Sequence, residues 1–232
     1  MLNQPMIVAI DGPAGAGKST VAKVIAARLG YVYLESGVLY RAMAWKALTT
    51  GTDPTSPDAM HRLCKDTRLQ LVSMTDGGVV VEADGRILTD EIRTPEVSRA
   101  ASQVAALPEV RTWLLPVQQA LRRQEGLRGI VAEGRDIGTR IFPEASAKFF
   151  LEAAPSERAR RRHTELLATG RSADLSDTQH ALDDRDRRDQ TRESAPLASA
   201  PDAVAIDTTH LSVEEVVERM LSKIACEAAG CR

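Results

Sequence analysis

IDGPAGAGKST, Ile10 to Thr20, decides how the rest of the chain is read. Gly12, Gly17, Lys18 and Ser19 fit the spacing G-x-x-x-x-G-K-[ST]. The context fits as well. The apolar run MIVAI (Met6 to Ile10) closes on Asp-Gly-Pro and reads as a buried strand. After the glycines, KSTVAKVIAARLG sets Val21, Val24, Ile25 and Leu29 at helical spacing and stops at Gly30. Strand, glycine loop and helix in that order form a phosphate cradle. Gly12, Pro13, Ala14, Gly15, Ala16 and Gly17 wrap the anion, and backbone N–H groups with the helix N-terminus supply partial positive charge. Lys18 is expected on the β- and γ-phosphates, the Ser19 hydroxyl on Mg²⁺ and Thr20 on the α-phosphate, so the bound molecule is a triphosphate such as ATP.

Further apolar runs sit at YVYL (Tyr31 to Leu34), GIVAE (Gly129 to Glu133), KFFLEA (Lys148 to Ala153) and AVAID (Ala203 to Asp207). Helical patterns lie among them, including SGVLYRAMAWKAL with Ser36 as its N-cap and the amphipathic SVEEVVERMLSKIA. Short apolar strands alternating with helices predict an α/β fold, a three-layer core around a five-stranded parallel sheet. RLQLVSMTDGGVVVEADGRILTD (Arg68 to Asp90) breaks the rhythm. Asp-Gly twice between strand-like runs predicts a small antiparallel β-meander, followed by the helical PEVSRAASQVAA and PEVRTWLLPVQQALRRQ. The expected organisation is a core of residues 1–50 and 125–232, carrying a lid at about 155–195, with residues 51–124 as an insert.

The 232 residues carry a net charge of −2, which argues against a dedicated nucleic-acid binder. No uncharged run is long enough to span a membrane, the N-terminus lacks a signal-peptide pattern, and Cys64, Cys226 and Cys231 have no C-x-x-C spacing; a cytoplasmic protein with reduced thiols is expected. No exposed apolar stripe stands out, which favours a monomer. Arginine outnumbers lysine heavily, with clusters at RARRR (Arg158 to Arg162) and RDRRDQTR (Arg185 to Arg192). Compositional bias is one reading of this; bidentate phosphate binding is the other.

A GTPase switch needs D-x-x-G and N-K-x-D. No glycine has Asp three residues before it, and the only Asn is Asn3. A motor-type ATPase would show paired acids at the end of a strand, whereas GIVAEGRD has Glu133 alone, able to hold Mg²⁺ through water. A kinase is the best reading. A hydroxyl acceptor requires a base, but a phosphate monoester has a second pKa near ~6 and is already largely a dianion. What it needs is cations against phosphate–phosphate repulsion. Arg41 and Arg135, each after a probable strand end, and the two Arg clusters are the candidates, and they favour a nucleoside monophosphate kinase. A kinase of a hydroxylated metabolite and a non-catalytic nucleotide-binding regulator stay open as alternatives.

Together with the loop, ESGVLYRAMA, EIRTPEVSRAASQVAALPEVR, EGRDIGTRIFPEA, RDRRDQTRESAPL and AIDTTHLSVEEVVE resemble the bacterial cytidylate kinases over nearly the whole chain. ASQVAALPEVR and EGRDIGTRIFP are the most specific segments. The resemblance implies γ-phosphoryl transfer from ATP to CMP, and to dCMP, with Mg²⁺. It places Ser36 and Arg41 at the sugar and phosphate end of CMP, Arg135 on its phosphate, and Ser102, Arg111 and Asp136 at cytosine. Arg185, Asp189 and Arg192 match a sugar- and phosphate-handling element. Arg158, Arg161 and Arg162 fall where the lid begins, so that Lys18, Arg135, Arg158 and Arg162 become the candidate catalytic cations. Glu35 and Glu133 stand where many relatives are expected to have Asp, and Ser19 where some have Gly.

Overall fold

The computed structural model describes residues 5–74, 77–168, 170 and 172–228. Cys231 and the first two residues of the TDGG turn, Thr75 and Asp76, lie outside these. Strands β1 (Met6–Asp11), β2 (Val32–Glu35), β6 (Gly129–Gly134), β7 (Ala147–Glu152) and β8 (Val204–Asp207) form the expected five-stranded parallel sheet in the order β2-β6-β1-β7-β8. The segment between β2 and β6 supplies a three-stranded antiparallel sheet of β3 (Leu69–Ser73), β4 (Val79–Ala83) and β5 (Arg86–Leu88). The helices are α1 (Lys18–Leu29), α2 (Gly37–Thr50), α3 (Pro57–Lys65), α4 (Pro95–Val104), α5 (Pro108–Ala120), α6 (Pro155–Ala168), α7 (Leu175–Thr191) and α8 (Val213–Ala228).

Strand parity sorts the core into two layers, because successive side chains point to opposite faces. Ile7, Ala9, Leu34, Ile130 and Ala132 face one side and pack with residues of α2, α4 and α5. Val8, Ile10, Val131, Phe149 and Leu151 face the other and pack with α1 and α8. The insert does not build a core of its own: Leu69, Leu71, Val81 and Leu88 join the first layer alongside Met43 and Met60. The β4–β5 turn is the one the sequence dictates, with Asp84 (φ 52°) and Gly85 (φ 84°) both left-handed, as a two-residue hairpin turn requires.

Two contacts hold the small sheet in place, one from the parallel sheet and one from the end of the insert itself. The Tyr33 N–H, on the outer edge of β2, donates to the Gly77 carbonyl at 3.1 Å. On the outer edge of β3, Gln124 Nε2 donates to the Leu71 carbonyl (3.1 Å) while its Oε1 accepts from Ser73 Oγ (2.6 Å). Ser36 corrects one expectation. Its backbone is already helical (φ −60°, ψ −28°), whereas a capping side chain needs an extended residue, and the hydroxyl makes no cap bond. Its N–H is held instead by the Glu133 carbonyl at 3.1 Å. Among the described residues no helix is long and apolar enough to cross a membrane.

Candidate active site

The site lies at the C-terminal ends of β1, β2 and β6, where open α/β sheets place their ligands. β1 delivers the glycine loop. Gly12 has φ +144°, and a Cβ there would stand 2.1 Å from the Leu151 carbonyl oxygen on β7, so only glycine lets the chain turn so close to the neighbouring strand. The Lys18 ammonium folds back onto the Pro13 carbonyl at 2.7 Å. Burial, then the neighbouring Arg135, pushes its pKa down to about 7, and a phosphate dianion alongside would reverse that shift. Asp11, 4% exposed, accepts from the Ile137 and Gly138 N–H groups, both at 2.8 Å, and so fixes the turn that carries Arg135 and Asp136. Burial raises its carboxyl to about 6.

A cleft of about 230 Å³ opens from the loop. Of the predicted residues, Ala14, Gly15, Gly17, Lys18, Ser19, Thr20, Ser36, Arg41, Ser102, Arg111, Arg135, Asp136, Arg162, Arg185, Asp189 and Arg192 line it. Three cations meet in its middle. Arg41 pairs with Glu35 (2.6 Å) and Arg135 with Asp189 (2.9 Å). Arg185 makes no hydrogen bond or ion pair among the described residues, and burial together with Arg135 pushes it down to about 10. A guanidinium in that position is stabilised by an incoming anion.

At the insert side Arg111 and Asp136, 6% and 5% exposed, form a buried ion pair, and the Arg111 guanidinium lies 5.3 Å from the centre of the Tyr40 ring. Arg192 stands 3.7 Å from Asp136 and 3.6 Å from Asp189. Ser102 Oγ, Arg111 Nε and Arg192 Nη2 are buried without a hydrogen-bond partner. Buried donors without a hydrogen bond are costly, so three of them on residues lining one cleft with Asp136 point to a polar ligand that satisfies them.

Arg158 is not brought to the cleft. Its guanidinium donates to the Ala14 carbonyl (3.0 Å), to the Ala153 carbonyl (3.1 Å) and to Asp186, while Asp186 also accepts the Ala14 N–H (3.1 Å). The α6–α7 pair therefore grips the crest of the glycine loop from outside. Arg161 is likewise turned away, onto Thr208 and Glu157; Arg162 reaches the cleft and pairs with Glu165.

Sequence reasoning missed Tyr33, Tyr40 and Asp186. For Tyr33 a signal existed: in YVYLE the buried positions are Val32 and Leu34, so Tyr33 shares its face with Glu35, and Glu35 pairs with Glu133 across the β2–β6 ladder. Tyr33 Oη donates to Glu133 Oε1 at 3.0 Å, and Ser19 Oγ donates to the same oxygen. Hard oxygen donors of this kind suit Mg²⁺, which takes few protein ligands and keeps its waters and the nucleotide phosphates.

Three comparisons with known proteins bear on this arrangement. The sequence pattern of the family described as cytidylate kinase matches residues 8–226. A cytidylate kinase from Geobacillus kaustophilus is 50% identical over 92% of this chain and 94% of its own length. Another, from Stutzerimonas stutzeri, is 45% identical over 97% of both chains. A crystal structure of an uncharacterized protein from Eubacterium ventriosum superposes with a TM-score of 0.52 at 12% identity, covering 95% of this chain and 98% of that one, a likeness of fold alone.

Proposed function

This chain belongs to the cytidylate kinase family, and on that premise we propose that it transfers the γ-phosphoryl group of ATP to the 5′-phosphate of CMP or dCMP, giving ADP and the diphosphate. One observation carries the reading: Lys18, Arg41, Arg135 and Arg185 line one cleft between a triphosphate loop and a pocket that holds Asp136 and buried donor atoms of Ser102, Arg111 and Arg192 with no hydrogen bond. The acceptor is already an anion, so no general base is required. Arg41, Arg135 and Arg185 hold the acceptor phosphate in line and offset its repulsion from the donor. Asp136 accepts from the exocyclic amine of cytosine, while Ser102 and Arg111 donate to O2 and N3. Uracil presents a carbonyl to that carboxylate and is disfavoured.

Ser19 and Glu133 are the residues that would hold Mg²⁺, whose chemistry is to neutralise charge on the donor phosphates. Arg162 covers the donor side from α6, and the protein works as a cytoplasmic monomer.

The test is ADP release from ATP and Mg²⁺ with CMP, dCMP, UMP, AMP, GMP and shikimate as acceptors. Rapid turnover confined to CMP and dCMP is expected. Turnover with shikimate, or with none of the panel, overturns the reading.

A further inference from the structure

Tyr33 is not among the residues that line the cleft, yet its hydroxyl donates to one oxygen of Glu133 and interacts with Ser19 beside it. We propose that Tyr33 is a positioning residue for the divalent-cation site, acting through Glu133 on Ser19; the proposal rests on the Mg²⁺–ATP reading above.

The geometry gives each group one task. Glu133 Oε1 receives two O–H donors, Ser19 Oγ and Tyr33 Oη, while no hydrogen bond falls on Oε2 among the described residues. Because Ser19 sends its proton to the carboxylate, its oxygen lone pairs are left for a cation. A glutamate has one more rotatable bond than aspartate, so a single bond from Ser19 would leave the carboxylate free to turn about it. The phenol supplies the second point. A neutral tyrosine hydroxyl is a donor throughout the physiological range.

Tyr33 is itself well fixed. Its N–H is tied to Gly77 of the insert, and the Lys23 ammonium of α1 lies 5.6 Å from the centre of its ring. The phenol is therefore held by β2, α1 and the β3–β4 turn, and its hydroxyl points at the Glu133 carboxylate rather than at the reacting phosphates. Groups that orient a metal ligand in this way typically change metal affinity by about 10–100-fold when removed.

The experiment is binding of Mn²⁺, standing in for Mg²⁺, to the full-length protein saturated with ADP, followed by the loss of the free-ion electron paramagnetic resonance signal. Metal-free ADP affinity is measured in parallel by calorimetry with EDTA present. Tyr33→Phe keeps the ring and removes only the hydroxyl. We expect its Mn²⁺ affinity to fall about tenfold, with metal-free ADP affinity and the KM for CMP within twofold of the parent. In a Glu133→Gln background, Tyr33→Phe should add less than twofold. Unchanged Mn²⁺ affinity in Tyr33→Phe overturns the proposal, as does an equal loss of metal-free ADP binding, which marks a merely structural role. Full additivity of the two substitutions overturns it too. The binding readout needs no acceptor, so failure of the CMP assignment and failure of this proposal are seen separately.

Discussion

Asp186→Ala tests the grip of α6 and α7 on the glycine loop. Arg158 and Asp186 are each 9% exposed, and between them they satisfy both backbone groups of Ala14. Removing the carboxylate leaves a buried guanidinium with carbonyl acceptors alone and leaves the Ala14 N–H without its partner. Breaking a buried pair from one side costs about 3–5 kcal/mol. A chain of this size loses about 2–4 °C of melting temperature per kcal/mol, so the variant should melt roughly 10 °C lower. The loop should loosen with it, raising the KM for ATP more than that for CMP. Thermal and urea unfolding followed by the fluorescence of Trp45 and Trp113 measures the loss. Replacing both partners, Arg158→Met with Asp186→Leu, should recover part of the stability, because no charge is then stranded, though Ala14 still lacks its partners. A single-variant loss below about 1 kcal/mol, or a double variant as damaged as the single, would refute the reasoning.

Three further outcomes are expected. Lys18→Ala should lower turnover by about 10²–10³-fold with the circular dichroism spectrum intact; a variant retaining full rate removes the loop lysine from catalysis. Asp136→Asn should reduce the ratio of CMP to UMP turnover about tenfold or more, since a charged hydrogen bond to the base is worth about 1.5–3 kcal/mol, and an unchanged ratio means the base sits elsewhere. Asp11 has its carboxyl raised to about 6 from 3.8, so its protonation stabilises the fold fully below pH 3.8, and that contribution is lost as pH rises through about 6. Measured against Asp11→Asn, which cannot titrate, the parent should therefore lose on the order of 3 kcal/mol between pH 4 and pH 7; a flat difference contradicts the burial argument.

The fold was legible because its signals were local. Each strand of the parallel sheet is a short apolar run beside a turn residue, and β4–β5 announces itself through Asp84-Gly85. The loop declared itself by spacing. Ser36 misled because its residue type is a good cap, while its conformation is set by a bond to Glu133 nearly a hundred positions away in sequence. Arg158 misled for a related reason. The four arginines of RARRR look alike in sequence, but on α6 they point in different directions: Arg158 inward to Ala14, Arg160 to Glu157, Arg161 to Thr208 and Arg162 to the cleft. Helical phase decides among them, and that phase is fixed by packing of α6 on α7 rather than by composition. Tyr33 was readable only by carrying strand parity from β2 to β6, which requires knowing that the two strands are neighbours.

The amide of Gln124 on β3 bears on what an outer strand can offer another chain. β3 is one of the two outer strands of the small sheet, and an outer strand offers unpaired backbone groups on which another chain can assemble. Gln124 occupies the outward Leu71 carbonyl, as the N–H of an added strand would, and accepts from the Ser73 hydroxyl two residues along. A single side chain thus takes up one of the backbone groups this edge would offer to intermolecular sheet growth, and it does so without lengthening the sheet.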